Sequence, residues 1–568
     1  MRLPKKDSVK WIIIGLFASW ALFTFMIFPI LNMMKIILFP NGAFDTKPLV
    51  DIVKSDRVVR ALLNSFISGI VIAITTNILG VFQILVLDYF EIKNRKLLNI
   101  LYFSPLIING MVLVLAYFFI IGSNGILTTA LQNIFPNLKD DWMLGMPAVM
   151  LQLTFSNTMF HMTFVRDALK NLDFQTVEAA QNMGASSFNI LRKVVLPTII
   201  PSLLVATIMN FSMAMNAFAS PKILGGGKFE TISPLILTFS QTNTTKNYAV
   251  ILTLFLGIVT FTVLSIFTKI ENKVNVVSVS KVKTKIRRQK IQNSSVNFIV
   301  TLVAHLIAFI QVAPAALVVV FAFMDYESLI TGNLNPKQFT LTNFKMVFSS
   351  IEGMWPVLVS ISYAIVAAIF CSTIMLLLGR IITKYKSPYT KILENVLMIP
   401  WYVPATLIAI GFLFTFNSSQ NPFVMGVVLT GTIYILLIAY IVLRTPTTLR
   451  VLKAAYLSQD NSLEEAARNL GANSFSTFRK VIFPILLPTF LSSILLSFNG
   501  LLAEFNATIF LFNPKFTTLG VAINNATRPE SGRGAVMYSF VYSIIIMLIA
   551  SLMVFMVYGV LNRKTKNK

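Results

Sequence analysis

A chain of 568 residues with 56% hydrophobic and only 12% charged side chains, at a mean hydropathy of +0.76, is too apolar for a water-soluble domain, where about 25% of residues are charged. Its formal charge of +25 does not mark a nucleic-acid binder, because Lys and Arg gather in short stretches between apolar runs, as the positive-inside rule expects of cytosolic segments. The single cysteine, Cys371, leaves no disulfide framework and no cysteine metal site, and reads as a packing residue.

The N-terminal MRLPKKDSVK places four basic residues before an apolar run at 11–39. That run is too long for a signal-peptide core and lacks a small-residue cleavage pattern, so it is expected to remain as the first membrane helix. Crossing a bilayer takes about 20 apolar residues, and twelve stretches qualify. Six lie at 11–39, 61–87, 97–121, 143–164, 199–220 and 248–270, and six more at 296–323, 354–378, 393–414, 423–442, 486–510 and 535–560. The expected fold is an all-α membrane protein of about twelve transmembrane helices in two parallel six-helix repeats. The expected domains are 1–272 and 291–568, joined at 273–290 by a cytosolic linker. The stretch KIENKVNVVSVSKVKTKIRRQK, 269–290, carries eight basic residues and one acidic one and reads as a solvated tether that touches anionic lipid. Arg2, Lys5, Lys6 and Lys10, then Lys93, Arg95 and Lys96, the linker, Arg380, Lys384 and Lys386, and the C-terminal NRKTKNK all belong on the cytosolic side. Six crossings per half return the chain to that side, so both halves share one orientation.

Between the fourth and fifth stretches of each half lies a repeated segment, EAAQNMGASSFNILRKVVLPTIIP at 178–201 and EAARNLGANSFSTFRKVIFPILLP at 465–488. The copies stand 287 positions apart (465 − 178) and agree at 13 of 24 positions. Lipid-facing helices drift freely among apolar residues, whereas a polar loop is held only if something reads its surface. Both copies predict a short helix, a turn and a second helix. Glu178 and Glu465 stand near the helix N-terminus, where the dipole favours an acid, with Asp173 and Asp460 as caps five residues earlier. Gly184 and Gly471 supply either a left-handed turn or a point of close backbone approach, and the prolines after Arg192–Lys193 and Arg479–Lys480 suit the first turn of the next membrane helix.

The spacing of EAA, three residues, Gly, twelve residues and Pro resembles the EAA loop of binding-protein-dependent ABC importer permeases, and both copies match it in full. The resemblance implies the type I importer permease fold in a bacterial inner or cytoplasmic membrane. It also implies that Glu178, Ala179, Ala180 and Gly184, with Glu465, Ala466, Ala467 and Gly471, dock on two copies of a cytosolic ABC ATPase subunit. An extracytoplasmic solute-binding protein is the other implied partner; the outer loops SPKILGGGKFETIS and NPKFTTLGVAINNATRPESGRG are candidates to receive it. No P-loop is found: GGGK at 225–228 continues with Phe, so no cofactor is expected and ATP belongs to the partner. The chain reads as a transport subunit, not an enzyme.

Fused permeases of this length resemble those of ferric iron importers most, with spermidine/putrescine, thiamine and phosphonate permeases as relatives. Glu504 and Phe505 match a Glu-Phe element of that group; the offset pairs Phe218 with Phe505 but puts Ala217 opposite Glu504. An ionisable group in an apolar helix is a functional candidate by default. Glu504 either lines the solute path, meeting ferric iron through oxygen, or locks helices through a partner such as Asn499 or Asn506. Asn506, Asn216 and Asn210 are further candidates for the same cavity. His161 and His305 stand too far apart for a metal site and are expected to hydrogen-bond within the bundle, and the Met-containing run at 208–216 is gap filling. A secondary transporter with parallel repeats is the rival architecture; an integral membrane enzyme lacks a catalytic cluster.

Overall fold

The computed structural model describes residues 16–39, 47–170, 174–242, 244–274, 288–331, 337, 339–385, 387–460, 462–528 and 530–566. Among them all regular structure is helical. In the first half α1 (Leu16–Leu38), α2 (Asp56–Ile84), α3 (Gly110–Ile121), α4 (Met146–Asn157), α5 (Phe174–Asn182), α6 (Leu196–Met215) and α7 (Lys246–Val274) follow one another. In the second half they are α8 (Ser294–Ala322), α9 (Ile351–Lys384), α10 (Ala405–Thr415), α11 (Ile433–Leu457), α12 (Ser462–Asn469), α13 (Phe483–Leu502) and α14 (Arg533–Lys566).

The repeat is visible in the hydrogen bonds. Ser65 on α2 accepts from the Ile232 backbone N–H at 2.9 Å, and Ser360 on α9 accepts from Leu519 at 2.7 Å. The donors stand 287 apart (519 − 232) and the acceptors 295 apart (360 − 65). The early helices therefore follow an offset of 295 and the later ones 287, because the segment between the third and fourth helices is eight residues longer in the first half (295 − 287). Helices α6 and α13 correspond at both ends: Leu196 with Phe483, and Met215 with Leu502.

The halves are interlocked rather than side by side. Helix α1 packs on α10 of the second half, and α8 packs on α3 and on the Arg95–Tyr102 helix of the first. Tyr102 donates its hydroxyl to the Ala304 carbonyl at 2.8 Å, and Gln83 meets Gln311 at 2.6 Å. Within the second half, α9 turns a buried face of Ala364, Ala367, Ala368 and Cys371 to its neighbours. Small side chains let membrane helices approach closely where no hydrophobic effect drives them together. Helices α2 and α8 carry exposed apolar residues, among them Ile70 and Ile78 on α2 and Leu302 and Phe309 on α8, which a bilayer solvates.

Ten helices among the described residues are long and apolar enough to span a membrane, against twelve expected stretches. The other two are helical but shorter. The ninth stretch yields α10, eleven residues bounded by Pro404 and Phe416. The fourth is interrupted at Thr158, between α4 and a π-helical turn at His161–Val165. Two expected boundaries also move. The third stretch breaks at Asn109, whose side chain caps α3 by accepting from Met111 at 2.9 Å. The stretch at 423–431 forms no α-helix, only the end of a 3-10 turn at Pro422–Val424, because Met425, Gly426 and Gly431 all take positive φ; the membrane helix begins only at Ile433.

Candidate functional site

Each repeated segment folds as the sequence suggests. In the first, α5 ends at Asn182, Gly184 takes φ +77°, and the Ala185 N–H returns to the Ala180 carbonyl at 3.0 Å. In the second, α12 ends at Asn469, Gly471 takes φ +82°, and the Ala472 N–H returns to Ala467 at 3.0 Å. This six-residue closure is the glycine-dependent end of a helix, in which a left-handed residue lets orphan carbonyls find donors. A Cβ at either glycine would meet nothing within 4 Å, so backbone conformation, not close approach, is what needs glycine. A short helix follows, then a π-helical turn (Leu191–Val195 and Phe478–Ile482), with Pro197 and Pro484 in the first turn of α6 and α13. Pro201 and Pro488 lie one turn further, inside those helices.

The two loops share much of their burial pattern. Ala180 and Ala467 are buried against the scaffold, whereas Ala179, Ala466, Gly184 and Gly471 are exposed; Glu178 is half-buried and Glu465 exposed. At the turns Met183 is 81% exposed and Leu470, its counterpart, 88%. Phe188 and Phe475, also paired by the offset, are exposed too. Four large apolar side chains in water at symmetric positions mark a surface that something covers.

The roots of the loops differ. On the second, Asp460 caps α12 by accepting from the Ser462 N–H at 2.9 Å, which holds its carboxyl below the ordinary value. Asp173 lies outside the described residues. Glu464 binds Lys384 and Arg380 on α9, the latter at 3.4 Å, and Arg468 at 3.0 Å. Burial pushes its carboxyl up, but the three cations outweigh burial and hold it below the usual range. The residue at that place in the first loop is Val177, fully buried in an apolar cluster with Leu87, Tyr89 and Ile190. The first loop is reached instead through Arg166, which pairs with Asp88 below α2; Arg95 reaches the same carboxylate at 3.2 Å. The linker end also touches this loop. Gln289 pairs with Tyr89 and Glu91 through its backbone and meets Gln181 on α5 at 2.5 Å through its side chain.

Helices α6 and α13 lead from the loops across the membrane, and their far ends meet. Twenty residues at 1.5 Å each span about 30 Å, so Met215 and Leu502 lie toward the outer leaflet. There Phe218 and Phe505, equivalent by the offset, contact each other edge-on at 5.5 Å, with Phe510 at 5.9 Å from Phe218. Phe218 and Phe505 are buried, so the interface between the halves is shut by rings on its pseudo-twofold axis.

Glu504 adjoins this contact. Its carboxylate accepts from the Ala507 N–H at 2.9 Å, the Thr508 N–H at 3.1 Å and the Thr508 hydroxyl at 2.6 Å. Those are its partners, in place of Asn499 or Asn506. Asn506 is half-buried beside Phe505. Asn216 donates to the Ser212 carbonyl at 2.7 Å and to Thr260 at 3.3 Å. Asn210 is buried and donates to Thr76 at 2.8 Å, turned into its own half. The structure therefore brings Glu504, Asn506 and Asn216 to the ends of α6 and α13, and Asn210 elsewhere. The histidines bond locally, His161 to Asn77 at 2.8 Å and His305 to the Thr301 carbonyl at 2.7 Å. Among the described residues no group of three His, Cys, Asp or Glu side chains converges as for a metal. Lys228, the lysine of GGGK, pairs with Asp141 and thereby lowers the Asp141 carboxyl from its ordinary value.

Sequence reasoning missed Asp88, Arg166 and, in the membrane, Arg444. Arg444 on α11 donates to the Gly500 carbonyl on α13, and Glu504 lies within its electrostatic reach.

A family model described as "Binding-protein-dependent transport system inner membrane component" matches residues 95–276 and again 375–567, one match per half. The chain is similar to a probable ABC transporter permease protein, y4fN, of Sinorhizobium fredii: 33% identical, over 96% of this chain and 95% of the relative. It is also similar to the ferric transport system permease protein FbpB of Actinobacillus pleuropneumoniae, at 24% identity over 98% of this chain and 79% of that protein. A putative 2-aminoethylphosphonate transport system permease protein, PhnV, of Salmonella paratyphi A is 27% identical over 42% of this chain and 91% of its own length.

Proposed function

The chain belongs to the family of binding-protein-dependent transport system inner membrane components, and from that premise we propose that the solute it carries inward is ferric iron. It is the permease of an ABC importer, a multi-pass inner membrane protein, and such a system implies an ATPase and a solute-binding protein as partners. One observation favours iron over the organic alternatives: the ferric relative aligns with 98% of this chain, the phosphonate relative with 42%. A single chain that aligns throughout with a ferric permease shares its fused layout, with domains at 1–272 and 291–568 about the linker.

In this reading each EAA loop docks on one of two ATPase subunits, which bind the ATP. The matched exposed residues Met183 with Phe188, and Leu470 with Phe475, support two equivalent docking faces. Closure of the ATPase pair draws α5 and α12 together. The Gly184 and Gly471 turns pass that movement to α6 and α13, whose far ends part Phe218 from Phe505 and admit solute from outside. Glu504, Asn506 and Asn216 border that opening, with Asn210 deeper in the first half.

Whole-cell uptake in a deletion strain, with and without this chain, tests the reading with labelled ferric iron, spermidine, thiamine and a phosphonate. The expected result is loss of iron uptake alone; loss of an organic solute with iron untouched overturns the choice of solute. Substituting Glu178 or Gly184 in the first loop, or Glu465 or Gly471 in the second, should leave ATP hydrolysis running but uncoupled from uptake; unchanged uptake in a double-loop variant overturns the coupling role.

A further inference from the structure

Near the middle of α11 the second half holds charge where the first holds none. Arg444 lies 11 residues inside α11 (444 − 433), about 17 Å from its outer end at 1.5 Å per residue. Its Nη2 donates to the Gly500 carbonyl, whereas its Nε is buried with no hydrogen-bond partner among the described residues. A Cβ at Gly500 would overlap the guanidinium, so a larger residue there makes the Arg444 side chain shift. One turn before Arg444 on the same face, Tyr440 bonds its hydroxyl to Thr508 at 2.7 Å, and Thr508 donates to Glu504. Tyr363 on α9 stands with its ring 6.2 Å from that of Tyr440, and its hydroxyl too is buried without a partner.

The first half has Asn157, Met213, Ala217 and Leu153 in place of Arg444, Gly500, Glu504 and Tyr440 at the offset of 287, and Ser68 in place of Tyr363 at 295. Five positions differ together, so the cluster is not something the repeated fold demands. The Glu504 carboxylate is already committed to three donors of its own turn. What remains open at the α9, α11 and α13 junction is donors, Arg444 Nε and the Tyr363 hydroxyl. A buried N–H donor left without a partner is costly, and an acceptor-only group is what relieves it.

We propose that Arg444 and Tyr363 form a one-sided station for an oxyanion group, such as a carboxylate or phosphonate, carried by the transported solute. Glu504 balances the guanidinium charge while the station waits. A bare cation would face the Arg444 guanidinium and would compete with the donors already on Glu504, so iron passes here inside oxyanion ligands. This rests on the importer reading above, and the iron clause on the choice of solute.

The test uses the full chain, purified with its ATPase and placed in lipid nanodiscs. Binding of citrate, methylphosphonate, ferric citrate and putrescine is followed by thermal stabilisation against ligand concentration. Oxyanions should stabilise the wild type and putrescine should not. Arg444→Gln should weaken oxyanion binding roughly ten-fold or more, the usual effect of losing a charged hydrogen bond. Arg444→Lys should keep part of it, since the charge remains without the planar fork. Tyr363→Phe removes only the hydroxyl and guards against misfolding of the arginine variants. Binding of free citrate or methylphosphonate assigns the group to a free anionic solute; binding of ferric citrate alone assigns it to the ligands of a chelated metal. Unchanged oxyanion binding in both Arg444→Gln and Tyr363→Phe overturns the proposal, as does a wild type stabilised by no oxyanion. Copurification of the ATPase reports separately on the importer reading.

Discussion

The two cytosolic loops present similar surfaces and stand on different foundations. Large apolar side chains stand exposed at matched positions across the offset of 287, Met183 with Leu470 and Phe188 with Phe475. Beneath them the first loop is rooted in apolar packing at Val177, and the second in an ion cluster at Glu464. The substitution is complete on both sides of the contact: Arg380 and Lys384 of α9 correspond, at 295, to Leu85 and Tyr89 beneath α2. What a partner must recognise is repeated; what only holds the loop in place is free to change, provided both sides change together.

The sharpest way to break this comparison lies just before each loop, where Arg166 and its counterpart Lys453 (166 + 287) both carry ion pairs. Arg166 and Asp88 are 8% and 7% exposed, whereas Lys453 and Glu394 are 30% and 31%. Asp88→Ala leaves a guanidinium buried without its carboxylate and should cost about 3–5 kcal/mol. Glu394→Ala should cost at most about 1 kcal/mol, because water replaces the lost partner. Thermal unfolding of the two variants in detergent measures the contrast; equal losses would show that burial does not separate the roots.

The turns should behave alike. Gly184→Ala and Gly471→Ala each force a side chain into left-handed backbone, at about 1–2 kcal/mol. Nothing lies within 4 Å of either Cβ, so no steric term adds to that cost. Hydrogen exchange at Ala185 and Ala472, whose N–H groups close the turns, should speed up by a similar factor in each variant. A large difference would mean that the loops are not equivalent where a partner reads them.

The repeat, the helical hairpins and most of the membrane helices were legible because each has a local signature: a 20-residue apolar run, a glycine at a turn, a proline at a helix start. The roots were not. Asp88 and Arg166 lie 78 positions apart (166 − 88) on different elements, and no period links them. Arg444 was hidden by a boundary. Apolar composition places a helix at 423–442, whereas the left-handed residues Met425, Gly426 and Gly431 delay it to Ile433 and carry it on to Leu457. That shift moves Arg444 from a cytosolic edge to the membrane interior and changes its meaning. Glu504 was legible as a charge in an apolar setting, but its three donors depend on a helix break at Ala503 that hydropathy does not register.

The smallest effect isolates the ionic root. The Glu464 carboxyl lies below its ordinary value because Lys384, Arg380 and Arg468 outweigh its burial. A folded value below the unfolded one means that the contribution is fully present above the unfolded value, about 4.3, and is lost as pH falls through the folded one. Acid should therefore loosen α12, with no corresponding term from Val177 beneath α5. Glu464→Gln should cost α12 about 1 kcal/mol, since Glu464 and its partners are all partly open to water. It should also reduce the acid sensitivity to what the Asp460 cap contributes and make the second loop less responsive to added salt, which screens such pairs over about 10 Å at 0.1 M. Hydrogen exchange at 462–469 and 174–182, followed from neutral pH downward in wild type and variant, reads both loops in one experiment. Parallel acid loosening of the two segments would mean that the ion cluster is not what holds the second loop.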